Sequence, residues 1–184
     1  VGAALFHLFS AGVAPFTALV QRPIHLAFMA TLGFLGVGGR VVAEKSRASP
    51  ATGYDGGKWK PFLNGLLIAA VLVSSLYLVS QHEALVRRAG SPTIMDLAGG
   101  LMALVVVLEL ARRTTGWGLV VVAGLALLYA VAGPYLPGFL AHRGYGFTRL
   151  MEHLYLSTEG IWGVPLGVSA YFVYLFVLFG ALLD

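Results

Sequence analysis

Long apolar runs alternate with short polar links along this chain. Three of the runs, residues 1–20, 24–39 and 61–80, contain no charged side chain. A helix of about 20 residues rises about 30 Å, which is the thickness of the hydrocarbon layer of a bilayer. The pattern therefore predicts three transmembrane helices, with Gln21-Arg22-Pro23 as a tight turn between the first two. Residues 81–91 are predicted to be a polar link.

Three more spans are predicted in the second half of the chain. The fourth covers roughly residues 94–113 and the fifth residues 117–133, with a turn at residues 112–116 between them. The sixth ends at Leu183 and is opened by Gly163-x-x-x-Gly167, whose small residues permit close helix contact. Pro165 costs little there, because a proline is tolerated in the first turn of a helix.

Two polar patterns help to place the fourth span. Thr93-x-x-Asp96 matches a capping box, and a carboxylate is favourable at the N-terminus of a helix. Glu109 and Arg113 are four residues apart, so they can pair on one face, and Arg112 lies beside them in the predicted turn. These residues are expected to orient the helix rather than to react.

An amphipathic segment precedes the sixth span. Its apolar residues recur at helical spacing, and the opposite face carries Arg149, Glu152 and His153. The apolar residues are Phe147, Leu150, Met151, Leu154 and Tyr155. A short helix with a charged face lies in the membrane interface, so an interfacial helix is predicted over residues 148–159, ended by Gly160.

The composition supports a membrane protein. Hydrophobic residues make up 58% of the 184 residues and charged residues 11%, whereas soluble proteins have about 25% charged residues. The mean hydropathy is +0.84. We therefore predict an all-α integral membrane protein with about six transmembrane helices and one interfacial helix. The net charge of +4 forms no basic stripe, so nucleic-acid binding is not expected, and the lack of cysteine excludes disulfides.

The lysines and arginines predict an orientation. Five of them fall in the polar loop at residues 40–60, which the positive-inside rule places in the cytoplasm. Alternation then puts the N-terminus and residues 112–113 inside, and the links at 81–93 and 134–160 outside. Both ends of the sequence look cut from something longer, since it opens on Val-Gly-Ala-Ala and stops directly after an apolar run.

No catalytic or metal motif is present, so neither an enzyme nor a cofactor is expected. His7 is interpreted as a packed side chain, because a proton relay would need a partner that the sequence does not show. Glu159 is the candidate binding residue, together with Gly160 and Pro165. It precedes a Gly/Pro-broken helix entry, where transporters coordinate ions and substrates. The alternative is a helix-end carboxylate that bonds nearby amides.

Several longer stretches carry a family resemblance. They are PYLPGFLAHRGY, LYLSTEGIWGVPLGVSA, FVYLFVLFGALL, SPTIMDLAGG and LELARRTTGW. Over roughly residues 85–184 they resemble the membrane permease of tripartite ATP-independent periplasmic (TRAP) transporters. The likeness is to the TAXI branch, in which a small four-helix domain is fused to a large transport domain.

The resemblance implies a domain organisation and a function. Residues 1–113 would be the small scaffold domain, and residues 114–184 the start of the large transport domain. A periplasmic TAXI-type binding protein would deliver an organic acid, and an inward sodium gradient would drive uptake across a bacterial or archaeal inner membrane. The family's binding hairpins would lie beyond Asp184, so this chain is expected to supply mainly scaffold helices. Its expected partners are membrane lipid and the rest of the transport domain.

Two other classes stay open at this point. One is a non-catalytic membrane scaffold or assembly protein. The other is a small intramembrane enzyme that uses His142, Glu152, His153 or Glu159.

Overall fold

The computed structural model describes residues 2–13, 16–36, 60–88 and 90–183, with Lys60 represented by its backbone alone. These residues form helices and turns and contain no strand. The helices are α1 (Gly2–Gly12), α2 (Ala18–Phe34), α3 (Lys60–Arg87), α4 (Ile94–Thr115), α5 (Trp117–Ala132), α6 (Phe147–Met151) and α7 (Val164–Leu183). Short 3-10 turns lie at Gly133–Tyr135 and Gly138–Leu140. Two π-helical turns follow, Glu152–Leu156 after α6 and Ser169–Val173 inside α7.

Four helices are long and apolar enough to cross a membrane. They are Pro61–Arg87, Ile94–Thr115, Trp117–Tyr135 and Val164–Leu183. They correspond to the third, fourth, fifth and sixth predicted spans. The prediction of an all-α membrane protein is therefore confirmed in class, with four membrane-length helices in the described part of the chain.

The N-terminal region differs from the prediction. Residues 1–20 do not form one span, because α1 ends at Gly12 and Thr17 is extended (φ −62°, ψ 156°) before α2 begins. The predicted turn at Gln21-Arg22-Pro23 is wrong, since all three residues lie inside α2 and Gln21 and Pro23 are buried. Tertiary packing holds this polar segment in a helix. The predicted basic loop at residues 40–60 lies outside the residues whose side chains the structure describes.

Two predicted links are helical instead. α3 continues to Arg87, so most of the link predicted at residues 81–91 is its last two turns. α4 continues to Thr115, which reduces the predicted turn at 112–116 to Gly116 alone. Gly116 has φ +90°, a conformation that side chains with a Cβ rarely adopt, so one glycine suffices to separate α4 from α5.

The amphipathic segment is helical over residues 147–156, and it ends three residues before the predicted boundary. It is too short to span, as predicted. Part of its apolar face packs on the protein, however. Met151 and Tyr155 are fully buried against α4, where Gly99 and Gly100 leave room for them. Two residues of the predicted apolar face thus belong to the protein interior, while Phe147 stays exposed.

The core lies between α2, α3 and α4, with Tyr155 and Trp162 inserted from the link that precedes α7. At one end, Arg113 Nη1 donates to Asn64 Oδ1 over 2.7 Å, which ties the end of α4 to the start of α3. At the other end, the Gly90 amide donates to Glu152 Oε1 over 2.5 Å. The links around residue 90 and at 133–163 therefore share one end of the bundle, as the alternation predicted.

Candidate functional site at the contact of α2 with α7

The predicted binding residues lie where the chain enters α7. A cavity of about 370 Å³ opens there between the start of α2 and the start of α7. Its lining consists of Ala18, Arg22, Thr158, Glu159, Gly163, Val164 and Pro165. Glu159 and Pro165, two of the three predicted binding residues, thus line this cavity. We call this space the seam cavity.

Gly160 shapes the link rather than the cavity wall. A Cβ at this position would lie 2.4 Å from both the Cα and the carbonyl oxygen of Leu154. The chain folds back on itself at this point, and the Ile161 amide donates to the Leu154 carbonyl over 2.8 Å. Only a residue without a side chain permits that approach.

Glu159 is exposed, and its carboxylate has no hydrogen-bond or ion-pair partner among the described residues. Its backbone amide donates to Ser157 Oγ over 3.1 Å, which belongs to the turn that ends the π-helical segment. The alternative in which the carboxylate bonds nearby amides is thus not what the structure records. The oxygens of Glu159 are available at the mouth of the seam cavity.

Arg22, which the sequence pattern places in a turn, is the cation of the site. Its Nη1 donates to the Trp162 carbonyl, across 140 residues of sequence. Its Nε is buried without a hydrogen-bond partner in the described structure. Gly167 makes the room, because a Cβ there would lie 2.8 Å from Arg22 Nη2. A lone arginine between two apolar runs was the signal that could have identified it.

The cavity is electropositive on one wall. The guanidinium of Arg22 carries a fixed charge and donors in a planar fork that match a carboxylate. Val164 begins a helix of 20 residues at the same cavity, and the N-terminal end of a helix carries a partial positive charge. The N-cap residue is Gly163, which has no side chain with which to cap the helix. The arrangement suits a small anion on one side and a cation beside Glu159 on the other.

The link that forms the cavity floor is anchored in the core. Trp162 Nε1 donates to the Tyr155 carbonyl over 2.6 Å, and both aromatic rings are fully buried. The Tyr155 hydroxyl donates to the Ser74 carbonyl of α3 over 2.6 Å. Burial raises the pKa of Tyr155, so its hydroxyl stays protonated and keeps donating. The link is therefore a fixed part of the fold and holds Trp162 in place for Arg22.

Asp96 has the structural role predicted for it, with more partners than expected. The capping box with Thr93 is confirmed: Asp96 Oδ2 accepts from the Thr93 amide over 2.7 Å, and Thr93 Oγ1 accepts from the Asp96 amide over 3.4 Å. Asp96 Oδ1 also accepts from the Tyr77 hydroxyl over 2.6 Å and from Arg88 over 2.9 Å. This buried carboxylate joins α3 to α4.

Glu109 anchors the opposite end of α4. Its predicted pair with Arg113 is confirmed at 2.7 Å, and Arg112 donates to the same carboxylate through both Nε and Nη2, each at 2.7 Å. The guanidinium of Arg112 also lies 5.3 Å from the Trp117 ring centre. The cluster fixes the α4–α5 corner.

The residues of the enzyme alternative do not come together. His142 bonds the Tyr129 carbonyl at 3.0 Å and accepts from the Gly144 amide at 3.1 Å, so it braces the link after α5. Glu152 accepts from Gly90, and His153 is exposed. Each therefore has its own place in the fold, and the structure records no acid–base contact between them in the part of the chain it describes.

Comparison with known proteins adds no identification. No family model, curated protein or solved structure matches the chain.

Proposed function

We propose that this chain is a membrane-embedded part of a sodium-driven secondary transporter of organic acids, and that it supplies mainly scaffold helices. The observation that supports this most directly is the seam cavity. Arg22 and the N-terminus of α7 border the same space of about 370 Å³. A fixed cation beside a helix N-terminus is a favourable environment for a small carboxylate.

The shape of α7 also supports a transporter. The helix is entered through Gly163 and Pro165 and is interrupted by the π-helical turn Ser169–Val173. Transporters use interrupted helices to bring backbone groups to ions and substrates inside the membrane. In this proposal Glu159 supplies oxygen ligands for sodium, Gly160 and Pro165 hold the link in position, and Arg22 orients the acid.

The remaining features of the proposal extend the resemblance to TRAP permeases of the TAXI branch. In this proposal α1 and α2 pack together as the N-terminal part of the membrane unit, which lies in an inner membrane with the N-terminus in the cytoplasm. Residues 1–113 are the scaffold, and residues 114–184 begin the transport domain. A periplasmic binding protein delivers the acid, and further permease helices complete the path.

The first experiment is a binding measurement on the purified chain in lipid nanodiscs. Succinate and 2-oxoglutarate are titrated by calorimetry, with succinamide as the neutral comparison. We expect the acids to bind and the amide not to bind. Arg22→Gln should weaken acid binding at least tenfold, while Arg149→Gln, which removes an exposed arginine from α6, should leave binding unchanged.

A second measurement addresses transport by the assembled permease in proteoliposomes. Uptake should require both an inward sodium gradient and the periplasmic binding protein. Uptake at full rate without sodium would contradict the mechanism. A chain that binds permease helices but none of the acids would favour the non-catalytic scaffold alternative.

A further inference from the structure

Two histidines are buried where α1, α2 and α7 meet. His7 of α1 and His25 of α2 each expose 1% of their surface, although an unpaired imidazole is costly to bury. Their rings contact each other, with His7 Nε2 2.8 Å from His25 Nδ1. His25 Nε2 lies 3.1 Å from Ser169 Oγ, which belongs to the π-helical turn of α7. No local pattern indicates this pairing, because 18 and 144 residues separate the partners.

The Ala3 carbonyl determines which nitrogens carry hydrogen. His7 Nδ1 lies 2.7 Å from this oxygen, which can only accept, so Nδ1 carries the proton and Nε2 is the acceptor. His25 Nδ1 must then donate to His7 Nε2, and the Ser169 hydroxyl donates to His25 Nε2. Both neutral rings are therefore protonated at Nδ1, and every ring nitrogen has a partner.

The same geometry accepts one additional proton. A proton added at His25 Nε2 is donated to Ser169 Oγ, and the Nδ1 proton of His25 passes to His7 Nε2. His7 then carries the charge with both nitrogens donating, and the two inter-residue hydrogen bonds have reversed direction. A second proton is strongly opposed, since two imidazolium rings would face each other across 2.8 Å.

The surroundings contain polar groups but no described counter-ion. The Tyr174 ring centre lies 4.1 Å from that of His7, and its π-face is a favourable neighbour for a cationic ring. Arg22 lies one turn before His25 on α2, and the Tyr171 hydroxyl is directed to the Phe16 carbonyl over 3.5 Å. No carboxylate of the described residues forms an ion pair with either histidine.

Two further buried polar side chains, Ser10 and Gln21, lie near the histidine pair. Phe6 packs near Phe28, and Phe9 near Phe16, so α1 and α2 are antiparallel. Ser10 and Gln21 therefore both lie one turn from the histidine pair on the same side. Both are buried, and Ser10 Oγ and Gln21 Oε1 have no hydrogen-bond partner in the described structure. They can reorient to solvate a charged ring.

We propose that His7 and His25 form a binding site for a single proton at the joint of α1, α2 and α7, with Ser169 as the end at which the proton enters. Ser169 is partly exposed whereas both histidines are buried, so the serine is the end of the hydrogen-bonded chain that a proton reaches first. The site goes beyond the proposed function and does not depend on it. Protonation reverses the hydrogen bonds that join α7 to α2, which makes this joint responsive to pH.

Nuclear magnetic resonance of the full chain in lipid nanodiscs tests the proposal, with histidine labelled with ¹⁵N and pH as the variable. At high pH both rings should show the Nδ1–H form. On acidification the pair should take up one proton, and the second should follow only about two or more pH units lower. An Nε2–H ring at high pH, two independent titrations, or no titration of either ring would overturn the proposal.

Variants assign the signals and control for the loss of a histidine. His25→Gln should change the pH response of His7, whereas His82→Gln should leave the pair unchanged. His82 is a matched control because its Nδ1 bonds a local carbonyl, that of Val79, over 2.7 Å and lies outside the pair. If His25→Gln does not fold, Ser169→Ala serves instead. It should shift the His25 Nε2 signal and preserve the Nδ1–H form of His7, and an unchanged His25 signal would contradict the proposed entry point.

Discussion

Gly167 of α7 leaves the space that the guanidinium of Arg22 on α2 occupies. A Cβ at residue 167 would lie 2.8 Å from Nη2, 3.0 Å from Cζ and 3.0 Å from Nε of that arginine. The small residue thus brings a cation beside the Trp162 carbonyl, to which Arg22 donates. In the sequence, Gly163 and Gly167 are only two glycines four residues apart. In the structure, Gly167 leaves room for a charged side chain.

Replacement of Gly167 tests this relationship. Gly167→Ala should displace the guanidinium and break its bond to Trp162, at a cost of about 1 kcal/mol in the free energy of unfolding. The cost is small because the displaced atoms are the end of a flexible side chain. Affinity for carboxylates should fall severalfold in the calorimetric measurement. Gly180→Ala is the control, since nothing lies within 4 Å of its Cβ and an alanine favours the helix.

Gly160→Ala should lower the stability of the protein much more than Gly167→Ala does. The added Cβ would meet backbone atoms of Leu154 at 2.4 Å, and backbone cannot move aside as the end of a side chain can. We expect the free energy of unfolding to fall by about 1–3 kcal/mol or more, measured by thermal unfolding in detergent. Gly146→Ala, at an open position, should change the midpoint little. Equal midpoints for the two variants would contradict the close approach of residue 160 to the Leu154 backbone.

The buried carboxylate of Asp96 should be among the costly positions. Asp96→Ala removes the acceptor of Tyr77, Arg88 and Thr93 together, and leaves those donors unpaired. The free energy of unfolding should fall by about 3 kcal/mol, because one partner of a buried ionic network has been deleted. Glu83→Ala is the matched control. Its pair with Arg87 is 75% and 81% exposed, so a change of less than about 0.5 kcal/mol is expected in the same unfolding measurement.

The orientation in the membrane can be measured with single cysteines, because the chain has none of its own. Ser91→Cys and Thr158→Cys should react with an impermeant maleimide from one side, and Thr115→Cys from the other. The prediction from the arginine and lysine distribution is that Thr115 faces the cytoplasm. Labelling of residues 91 and 158 from opposite sides would contradict the shared end of the bundle. A fully inverted pattern would contradict only the positive-inside assignment.

Local physical rules were sufficient for much of the second half of the chain. The run that became α5 could be identified because it is uniformly apolar and bounded by glycines. The Thr93–Asp96 cap and the Glu109–Arg113 pair were predictable because their partners are three and four residues apart, where helix geometry brings them together. The entry to α7 through Gly163 and Pro165 follows from the same kind of local preference.

Apolar runs and local caps are sufficient to assign the class of the chain, an all-α membrane protein, and to place its later spans. The position of Arg22 in a helix and at a cavity depends on tertiary contacts, as does the hydrogen-bonded chain of His7, His25 and Ser169. A polar side chain in an apolar run is tolerated or rejected according to its partner, and these partners lie 140, 18 and 144 residues away, beyond the reach of any local pattern.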